Sequence, residues 1–418
     1  MKLYNSSSAL SSYNVFMKNN RQSAVILPLK TVPERNAFTV WRHKPFKRMP
    51  SEQMKPKFMK GLDLNRVFYH EVIKPLMKEY FPGLPYSAAL NGHGSDVIGF
   101  DSPTSIDHNW GPHLNIFLKY SDYLTWAPRI DEMLRKCLPY TFKGFSTNFT
   151  ENNPDLYLKQ VQKYITKGDV NHLCGIFSIR GFLNHYLHFD RDQEIGLYDW
   201  LTFPEQNLVE VTAGEIYHDG LGELQKMRQL FQYYPHDVWL YALRVQWGKI
   251  ANELQFHART GEEGDELGSR IMAGRMVEKI IKMCFLMERK YAPYLKWLGS
   301  SFKQLRSSKK LLLPLLKMEQ SPNWKVRQEY TFKAYQLLGA MHNSLGITRR
   351  IPVKAEKFPG RSYKVLDVSI FIKEIEKMIK DEKLRNMKFI LGRIDQFIDH
   401  AKIGHENYVF RHMQDLIE

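Results

Sequence analysis

The chain has 418 residues, of which 43% are hydrophobic, 25% charged and 13% aromatic, and it carries a formal net charge of +16. This length exceeds what one hydrophobic core usually covers, so we expect two or three domains of a globular protein. The sequence has no run of about 18 apolar residues and no apolar block near its start, which argues against a membrane span or a signal peptide. Its three cysteines lie far apart, and we expect a cytoplasmic protein without disulfide bonds.

Most of the positive charge lies at the N-terminal end. Residues 1–60 contain 12 Lys and Arg but only two acids, Glu34 and Glu52, so they carry ten of the sixteen net positive charges. Such a stretch is typical of a solvated tail or a loosely attached arm that attracts polyanions with little specificity. We therefore expect an irregular basic extension over residues 1–53. Nucleic acid stays open as a partner, although the charge does not indicate it.

Residues 54–221 alternate between helical and strand patterns, which predicts an α+β domain. The apolar spacing predicts, in chain order, a helix over 62–81, a short strand and a Gly-rich loop over 82–95, a strand over 113–118, a helix over 120–138, an alternating segment over 140–150, an ambiguous apolar segment over 172–189, a short helix over 192–203 and a strand over 206–220.

After residue 221 the pattern becomes helical. Long segments with a period of 3.6 residues, separated by Pro or Gly, predict a helical bundle over 222–346. A loop and two further helices are expected over 347–418. The predicted fold is thus a mixed sheet domain followed by a helical bundle domain.

One stretch, "GHGSDVIGFDSPTSIDHNWGPHLNIFL", carries the pattern of a nucleotide site. Gly94 and Ser95 form a small loop of the kind whose backbone N–H groups approach phosphate oxygens. Asp107 and Asn109 follow at positions i and i+2, at the entry to the predicted strand, and this spacing places two oxygen ligands on one face. Glu210, on a later predicted strand, is the candidate for a further acid. These residues also suit an ordinary turn and a solvent-exposed strand.

Several segments carry a more specific resemblance. They are "FPGLPYSAALNGHGSDVIGFD", "DHNWGP", "VTAGEIYHDGLGEL", "YYPHDVWLYALRVQW", "GDELGSRIMAGR" and "FLMERKYAPYLKWLG". Over about residues 54–400 the chain is similar to an uncharacterised bacterial family, labelled only as a domain of unknown function, within the nucleotidyltransferase superfamily of DNA polymerase beta and kanamycin nucleotidyltransferase. The resemblance implies a nucleotidyltransferase-like fold.

The same resemblance implies roles for individual residues. Gly94 and Ser95 match the phosphate-binding loop, and Asp107 matches the first metal-binding and catalytic acid. Asn109 stands where a second metal-binding acid belongs, while Glu210 is the candidate for a third acid that is both catalytic and metal-binding. The implied reaction is Mg²⁺-dependent attack of an acceptor hydroxyl on the α-phosphate of a nucleoside triphosphate. The acceptor, a small molecule or a macromolecule, is not determined.

Other residues compete for these roles. Glu215 and Asp219 are rivals of Glu210, since they lie on the same segment. In related antibiotic-modifying enzymes the helical half lines the nucleotide cleft, so Lys296 is a candidate for phosphate binding, with Arg270 as an alternative. Arg270 also has the spacing for an ordinary helix-surface pair with Glu266.

The sequence leaves three functional hypotheses open, and the first two differ in the role of Asn109. A neutral amide still ligates Mg²⁺ through its oxygen but removes one negative charge from a metal site. The leading hypothesis is an active nucleotidyltransferase. The second is a nucleotide-binding pseudoenzyme with a degraded metal site, and the third is a polyanion-binding scaffold that uses residues 1–60.

Overall fold

A computed structural model describes residues 56–151, 159–190, 192–388 and 392–397. The predictions for the basic extension 1–53 and for the end of the chain beyond residue 397 lie outside the described residues. Among the described residues, no helix combines the length and the apolar character that crossing a bilayer requires.

The helices and strands follow the predicted division of the chain into a mixed part and a helical part. The strands are β1 (Tyr86–Leu90), β2 (Asn115–Leu118), β3 (Thr141–Phe142), β4 (Phe145–Ser146), β5 (Gly175–Ser178), β6 (Glu215–Asp219), β7 (Ala355–Lys357) and β8 (Lys364–Leu366). The helices up to β6 are α1 (Gly61–Phe68), α2 (Lys74–Tyr80), α3 (Tyr120–Cys137), α4 (Ile179–Leu187), α5 (Leu197–Thr202) and α6 (Glu205–Thr212), with a π-helical turn (Tyr69–Ile73) joining the first two. The later helices are α7 (Leu224–Leu230), α8 (His236–Glu253), α9 (Phe256–Glu262), α10 (Glu266–Met287), α11 (Leu295–Phe302), α12 (Ser308–Gln320), α13 (Trp324–Ser344), α14 (Ser369–Met378) and α15 (Glu382–Asn386).

Four strands form one mixed sheet in the order β5-β2-β1-β6. The central strand β1 is antiparallel to β2 and β6, whereas β2 is parallel to β5. Ser87 of β1 lies opposite Phe117 on one side and Asp219 on the other. The register with β6 shifts between Ala88 and Ala89, as a β-bulge produces.

Alternate residues of the sheet face two separate cores, as the period of a strand requires. Ala88 and Ile116 pack with the apolar faces of α1, α2 and α3. Ala89 and Phe117 face the opposite way and pack with α4, α6 and the helices of the C-terminal half. The sheet therefore lies between two helical layers, and its second face is continuous with the core of the helical half.

The C-terminal half is helical, as predicted. α14 packs on α8, α12 packs on α13, and α10 contacts both α8 and α13. The α+β fold class with a mixed sheet followed by helices is confirmed, while the domain boundaries stay predictions.

The prediction of one strand over residues 206–220 is wrong for the first half of this segment. Residues 205–212 form α6, and only residues 215–219 form a strand. Leu208 and Val211 are buried three residues apart, which places them on one face of a helix but on opposite faces of a strand. The Thr212 hydroxyl donates to the carbonyl of Leu208 at 2.6 Å, and Gly214, with a φ of +77°, follows the end of the helix. Glu210 is consequently a helical residue.

The placement of Asp107 and Asn109 at the entry to a strand is also wrong. β2 begins only at Asn115, and the residues before it form a loop. Asn109 has a left-handed φ of 48° and Gly111 a φ of 148°, and neither value belongs to a strand. The alternation of apolar residues therefore predicts the strand correctly only over residues 115–118, most of which are buried.

Two other segments contain more regular structure than the pattern alone assigns. The ambiguous segment 172–189 is β5 followed directly by α4, where the Ser178 hydroxyl accepts a hydrogen bond from Gly181 N at 3.0 Å and caps the helix. The predicted loop after residue 346 contains the hairpin of β7 and β8. The expected surface pair of Glu266 and Arg270 is present at 3.4 Å.

Gly214 fixes the end of α6 against the end of β1. A Cβ atom at Gly214 would lie 1.9 Å from the carbonyl oxygen of Leu90, whereas one at Gly222, which also has a positive φ, would meet no atom within 4 Å. We expect Gly214→Ala to lower the free energy of unfolding by about 2–5 kcal/mol, combining backbone strain with overpacking. Gly222→Ala is the matched control and should cost only about 1–2 kcal/mol. Urea unfolding of both variants measures the difference, and equal losses would contradict the close approach.

Candidate functional site

A glycine-rich loop follows β1 and turns sharply twice. Gly92 has a φ of 97° and Gly94 a φ of 152°. A Cβ atom at Gly92 would lie 2.4 Å from the Tyr186 hydroxyl, and one at Gly94 would lie 2.3 Å from Oδ1 of Asp96. Both positions therefore require glycine, which explains the "GHG" of the sequence in terms of backbone and space.

The backbone N–H groups of this loop divide into two pairs. Gly92 N donates to the carbonyl of Glu210 at 2.8 Å, and His93 N lies 3.4 Å from the Tyr186 hydroxyl that accepts from it. Within the described part of the chain, the next two N–H groups, those of Gly94 and Ser95, donate to no protein acceptor. Consecutive free N–H groups of this kind are the usual means by which a loop binds a phosphate.

Two buried acids lie beneath the loop. Asp101 accepts hydrogen bonds from Gly61 N at 2.7 Å and from Trp110 Nε1 at 3.0 Å, so it joins the loop to the start of α1. Asp96 is 1% exposed, and its carboxyl lies 3.6 Å from Nε2 of His113. Burial raises the pKa of Asp96 above its usual value. Both carboxyl groups are therefore enclosed by protein close to the loop in sequence.

Glu210 lies directly against the loop, although on a helix. Its side chain is buried, and Oε1 is 3.0 Å from Nδ1 of His93 and accepts from Nε2 of Gln206 at 2.9 Å. The hydrogen bond to Glu210 raises the pKa of His93 above its usual value, even though desolvation of the ring opposes the rise. The His93 side chain remains 51% exposed. A buried carboxyl group thus orients a histidine that is accessible from solvent.

The rivals of Glu210 are engaged elsewhere. Both carboxylate oxygens of Glu215 accept from Arg66, at 2.7 and 2.6 Å. Asp219 accepts from the Ser87 hydroxyl at 2.8 Å and from three backbone N–H groups at the start of α7. These partners give Glu215 and Asp219 structural roles, and Glu210 alone of the three contacts the Gly-rich loop.

Asp107 and Asn109 occupy a loop that is held by other contacts. Asp107 is 65% exposed and lies 2.9 Å from Nδ1 of His108. Slight burial opposes its ionisation, but the hydrogen bond with His108 and nearby positive charge outweigh this and lower the pKa of Asp107. Asn109 exchanges two hydrogen bonds with the backbone of Gln160: its N–H donates at 2.7 Å and its Oδ1 accepts at 2.8 Å. The amide oxygen of Asn109 is therefore already in use.

Lys296 reaches the same region from the helical half. Gln206, which donates to Glu210, also accepts from Tyr294 N at 3.0 Å. The ring of Trp297 stacks on that of Phe100, with centroids 5.5 Å apart and planes 13° apart. These contacts fix the start of α11 against the loop. The charge of Lys296 consequently acts on the pKa of both His93 and Asp107.

The predicted ligands do not form a preassembled Mg²⁺ site. The carboxyl of Asp107 pairs with His108, the oxygen of Asn109 accepts from Gln160, and the carboxyl of Glu210 binds His93. Within the described ranges, no three His, Cys, Asp or Glu side chains lie close enough together to hold a metal ion. The residues present therefore do not fit the metal cage that the resemblance implies, and metal binding by these three stays a prediction that this geometry does not favour.

His93 is the site residue that the sequence pattern did not reveal. It lies between two glycines, where a histidine is unremarkable, and its partner Glu210 is 117 positions later. The only signal was its place inside the Gly-rich loop.

Comparisons with known proteins give a family match and a match to a solved structure. Residues 200–298 match the model of a family described as Domain of unknown function (DUF4037). A nucleotidyltransferase-like protein from Exiguobacterium sibiricum 255-15 is similar in structure, with 8% sequence identity and a TM-score of 0.28, over 73% of this chain and 97% of that chain. None of the curated proteins compared matches the sequence.

Removing the carboxyl that orients His93 tests the pair directly. We expect Glu210→Gln to lower the pKa of His93 toward or below the ordinary histidine value, because the neutral amide no longer favours the imidazolium. Since the folded state has the higher pKa, the pair stabilises the fold below the ordinary histidine pKa, and this contribution is lost as the pH rises through the raised value. NMR titration measures the shift, with the His93 signal assigned from His93→Asn. Glu215→Gln is the control and should leave it unchanged; an unshifted His93 in Glu210→Gln contradicts the pairing.

Proposed function

We propose that the loop from Gly92 to Ser95, together with Lys296, binds the phosphates of a nucleoside triphosphate. The N–H groups of Gly94 and Ser95 supply neutral donors, and His93 and Lys296 supply positive charge. Charge-assisted hydrogen bonds to phosphate are about twice as strong as neutral ones, so a loop and two cations are a sufficient set of contacts. The sequence resemblance to nucleotidyltransferases supports the choice of a nucleotide over a simple anion.

The observation that carries this proposal is the contact between two distant parts of the chain. Phe100, which follows the Gly-rich loop, stacks on Trp297, and the charge of the neighbouring Lys296 acts on His93 of the loop. Lys296 is exposed, and its ammonium group lies 5.0 Å from the centroid of the Trp297 ring, a position that leaves its three donors accessible. A lysine held in this way contributes charge without being neutralised by a buried acid.

Nucleotide binding without a preassembled metal cage is the form of the proposal that the geometry supports best. Of the earlier hypotheses it is nearest to the nucleotide-binding protein with a degraded metal site. The acceptor hydroxyl and the involvement of Mg²⁺ stay predictions, as does polyanion binding by residues 1–60. Phosphate charge is balanced here by the chain's own cations.

Calorimetric titration of ATP, GTP, CTP and UTP tests the binding. We expect micromolar affinity for at least one nucleotide and a loss of about tenfold in Lys296→Met, since a hydrogen bond to a charged group contributes about 1.5–3 kcal/mol. Lys303→Met is the matched control, because Lys303 is exposed at the other end of α11, and it should bind as the wild type does. If none of the four nucleotides binds, the phosphate-loop proposal is wrong.

A second experiment separates binding by cations from binding through a metal cage. Because Asn109 binds Gln160 and Asp107 pairs with His108, we expect neither Asn109→Asp nor Asp107→Ala to change the affinity for ATP by more than about twofold. Titrations with Mg²⁺ and with EDTA measure this. A gain of about tenfold in Asn109→Asp that needs Mg²⁺, equivalent to about 1.4 kcal/mol, together with a loss in Asp107→Ala, would indicate a metal cage instead.

A further inference from the structure

The outer face of α12 carries exposed leucines between lysines. The residues of this face, the α12 stripe, recur at helical spacing and are Lys309, Leu313, Leu316, Lys317 and Gln320. Leu313 is 64% exposed and Leu316 is 46% exposed. The opposite face of the helix packs in the core through Leu311, Leu315 and Met318. A surface helix usually presents polar residues on its outer face, so the two exposed leucines are the unexpected feature.

The positive charge around these leucines is not balanced by acids. Residues 289–318 contain eight Lys and Arg and no Asp or Glu. Three exposed lysines flank the leucines, namely Lys309, Lys310 and Lys317. Within the described part of the chain, none of their ammonium groups pairs with an acid. The next acid, Glu319, is turned toward α10, since its Oε1 lies 3.7 Å from the place of a Cβ atom on Gly274. The lysines are therefore available to an anionic partner.

Lysines and exposed leucines on one face suit the surface of an anionic bilayer. The apolar side chains of such a helix enter the boundary between headgroups and acyl chains, and the lysines bind the anionic headgroups above it. A nucleic acid would pair with the lysines but would leave the leucines in water. A second copy of the chain would bring the same positive charge against the stripe. The combination of positive charge and exposed apolar surface therefore favours lipid over both alternatives.

We propose that the α12 stripe docks the protein on the surface of an anionic phospholipid bilayer. Leu313 and Leu316 leave water and enter the headgroup boundary, while the three flanking lysines bind phosphate groups of the lipids. Long lysine side chains suit this arrangement, because their stems lie along apolar surface while the ammonium groups stay at the headgroups. The hydrophobic and the electrostatic contributions act together, so the loss of either weakens docking. This docking does not depend on the nucleotide binding proposed above.

Co-sedimentation of the full chain with vesicles tests the docking. The vesicles consist of phosphatidylcholine alone or of phosphatidylcholine mixed with phosphatidylglycerol, which supplies negative charge. We expect binding to the mixed vesicles only, and we expect added salt to weaken it, because salt screens the attraction. The basic residues 1–60 also attract anionic vesicles, so substitutions in the α12 stripe are needed to identify the surface that binds.

Leu313→Gln removes an apolar contact without changing the charge. We expect it to weaken binding to the mixed vesicles by about tenfold, since the leucine side chain is no longer withdrawn from water. The matched control is Leu124→Gln, because Leu124 is 79% exposed on α3, and this variant should bind as the wild type does. Both positions are exposed, so neither substitution disturbs the core.

A double variant with Lys309→Gln and Lys310→Gln tests the electrostatic contribution. We expect its affinity for the mixed vesicles to fall by about fivefold for each charge removed. The control with Lys74→Gln and Lys78→Gln has the same net charge, because both lysines are exposed on α2, away from the stripe. Its affinity should fall by less than about twofold, since charges distant from the bilayer are screened.

Two results would overturn the proposal. If Leu313→Gln binds the mixed vesicles as tightly as the wild type does, the leucines do not enter the bilayer and binding rests on charge alone. If the wild type does not bind the mixed vesicles, lipid is not the partner. In that case, binding of a single-stranded oligonucleotide that the double lysine variant loses would assign the stripe to nucleic acid. A dimer that Leu313→Gln dissociates would assign it to a second copy of the chain.

Discussion

The buried residue Glu210 is the point on which the candidate site depends. Its backbone carbonyl accepts from Gly92, and its carboxyl binds His93 and Gln206, so one residue fixes both the path of the Gly-rich loop and the ring inside it. Because the His93 side chain is half-exposed, solvent screens its attraction to Glu210, whereas the carboxyl of Glu210 is buried and depends on its hydrogen-bond partners. Rearranging this contact would therefore displace the loop, the histidine and the helix that faces them.

The site is formed where the sheet meets the helical half. β1 ends in the loop, α6 supplies Glu210 and Gln206, and the segment before α11 closes on both through Tyr294 N and Trp297. The second core of the sheet continues without interruption into the helical half, which gives these contacts a rigid base. A single glutamine amide thus aligns Gln206 with Tyr294, which are 88 positions apart in the chain. Aromatic stacking joins the still more distant Phe100 and Trp297.

The sequence predicts the outline of this site better than its chemistry. Periodicity identifies β1, the Gly-rich loop and the helical half, because each has a local pattern that burial alone produces. It fails at Glu210, where the burial of Leu208 and Val211 at a spacing of three residues belongs to a helix and not to the predicted strand. It also fails at Asn109, where a left-handed backbone and a bond to Gln160 replace the expected strand. The pairing of His93 with Glu210 is a long-range contact, and no local pattern records it.

The amide of Gln206 has a consequence for how the two halves respond to each other. Because this one group accepts from Tyr294 and donates to Glu210, its orientation is fixed from both sides. The free energy by which the docking of α11 stabilises the loop through this amide therefore equals the free energy by which the loop stabilises the docking of α11, since linkage is reciprocal. The stability of the loop conformation therefore depends on the helical half. A solvent or a substitution that weakens the docking of α11 also destabilises the loop, even where it does not touch the loop.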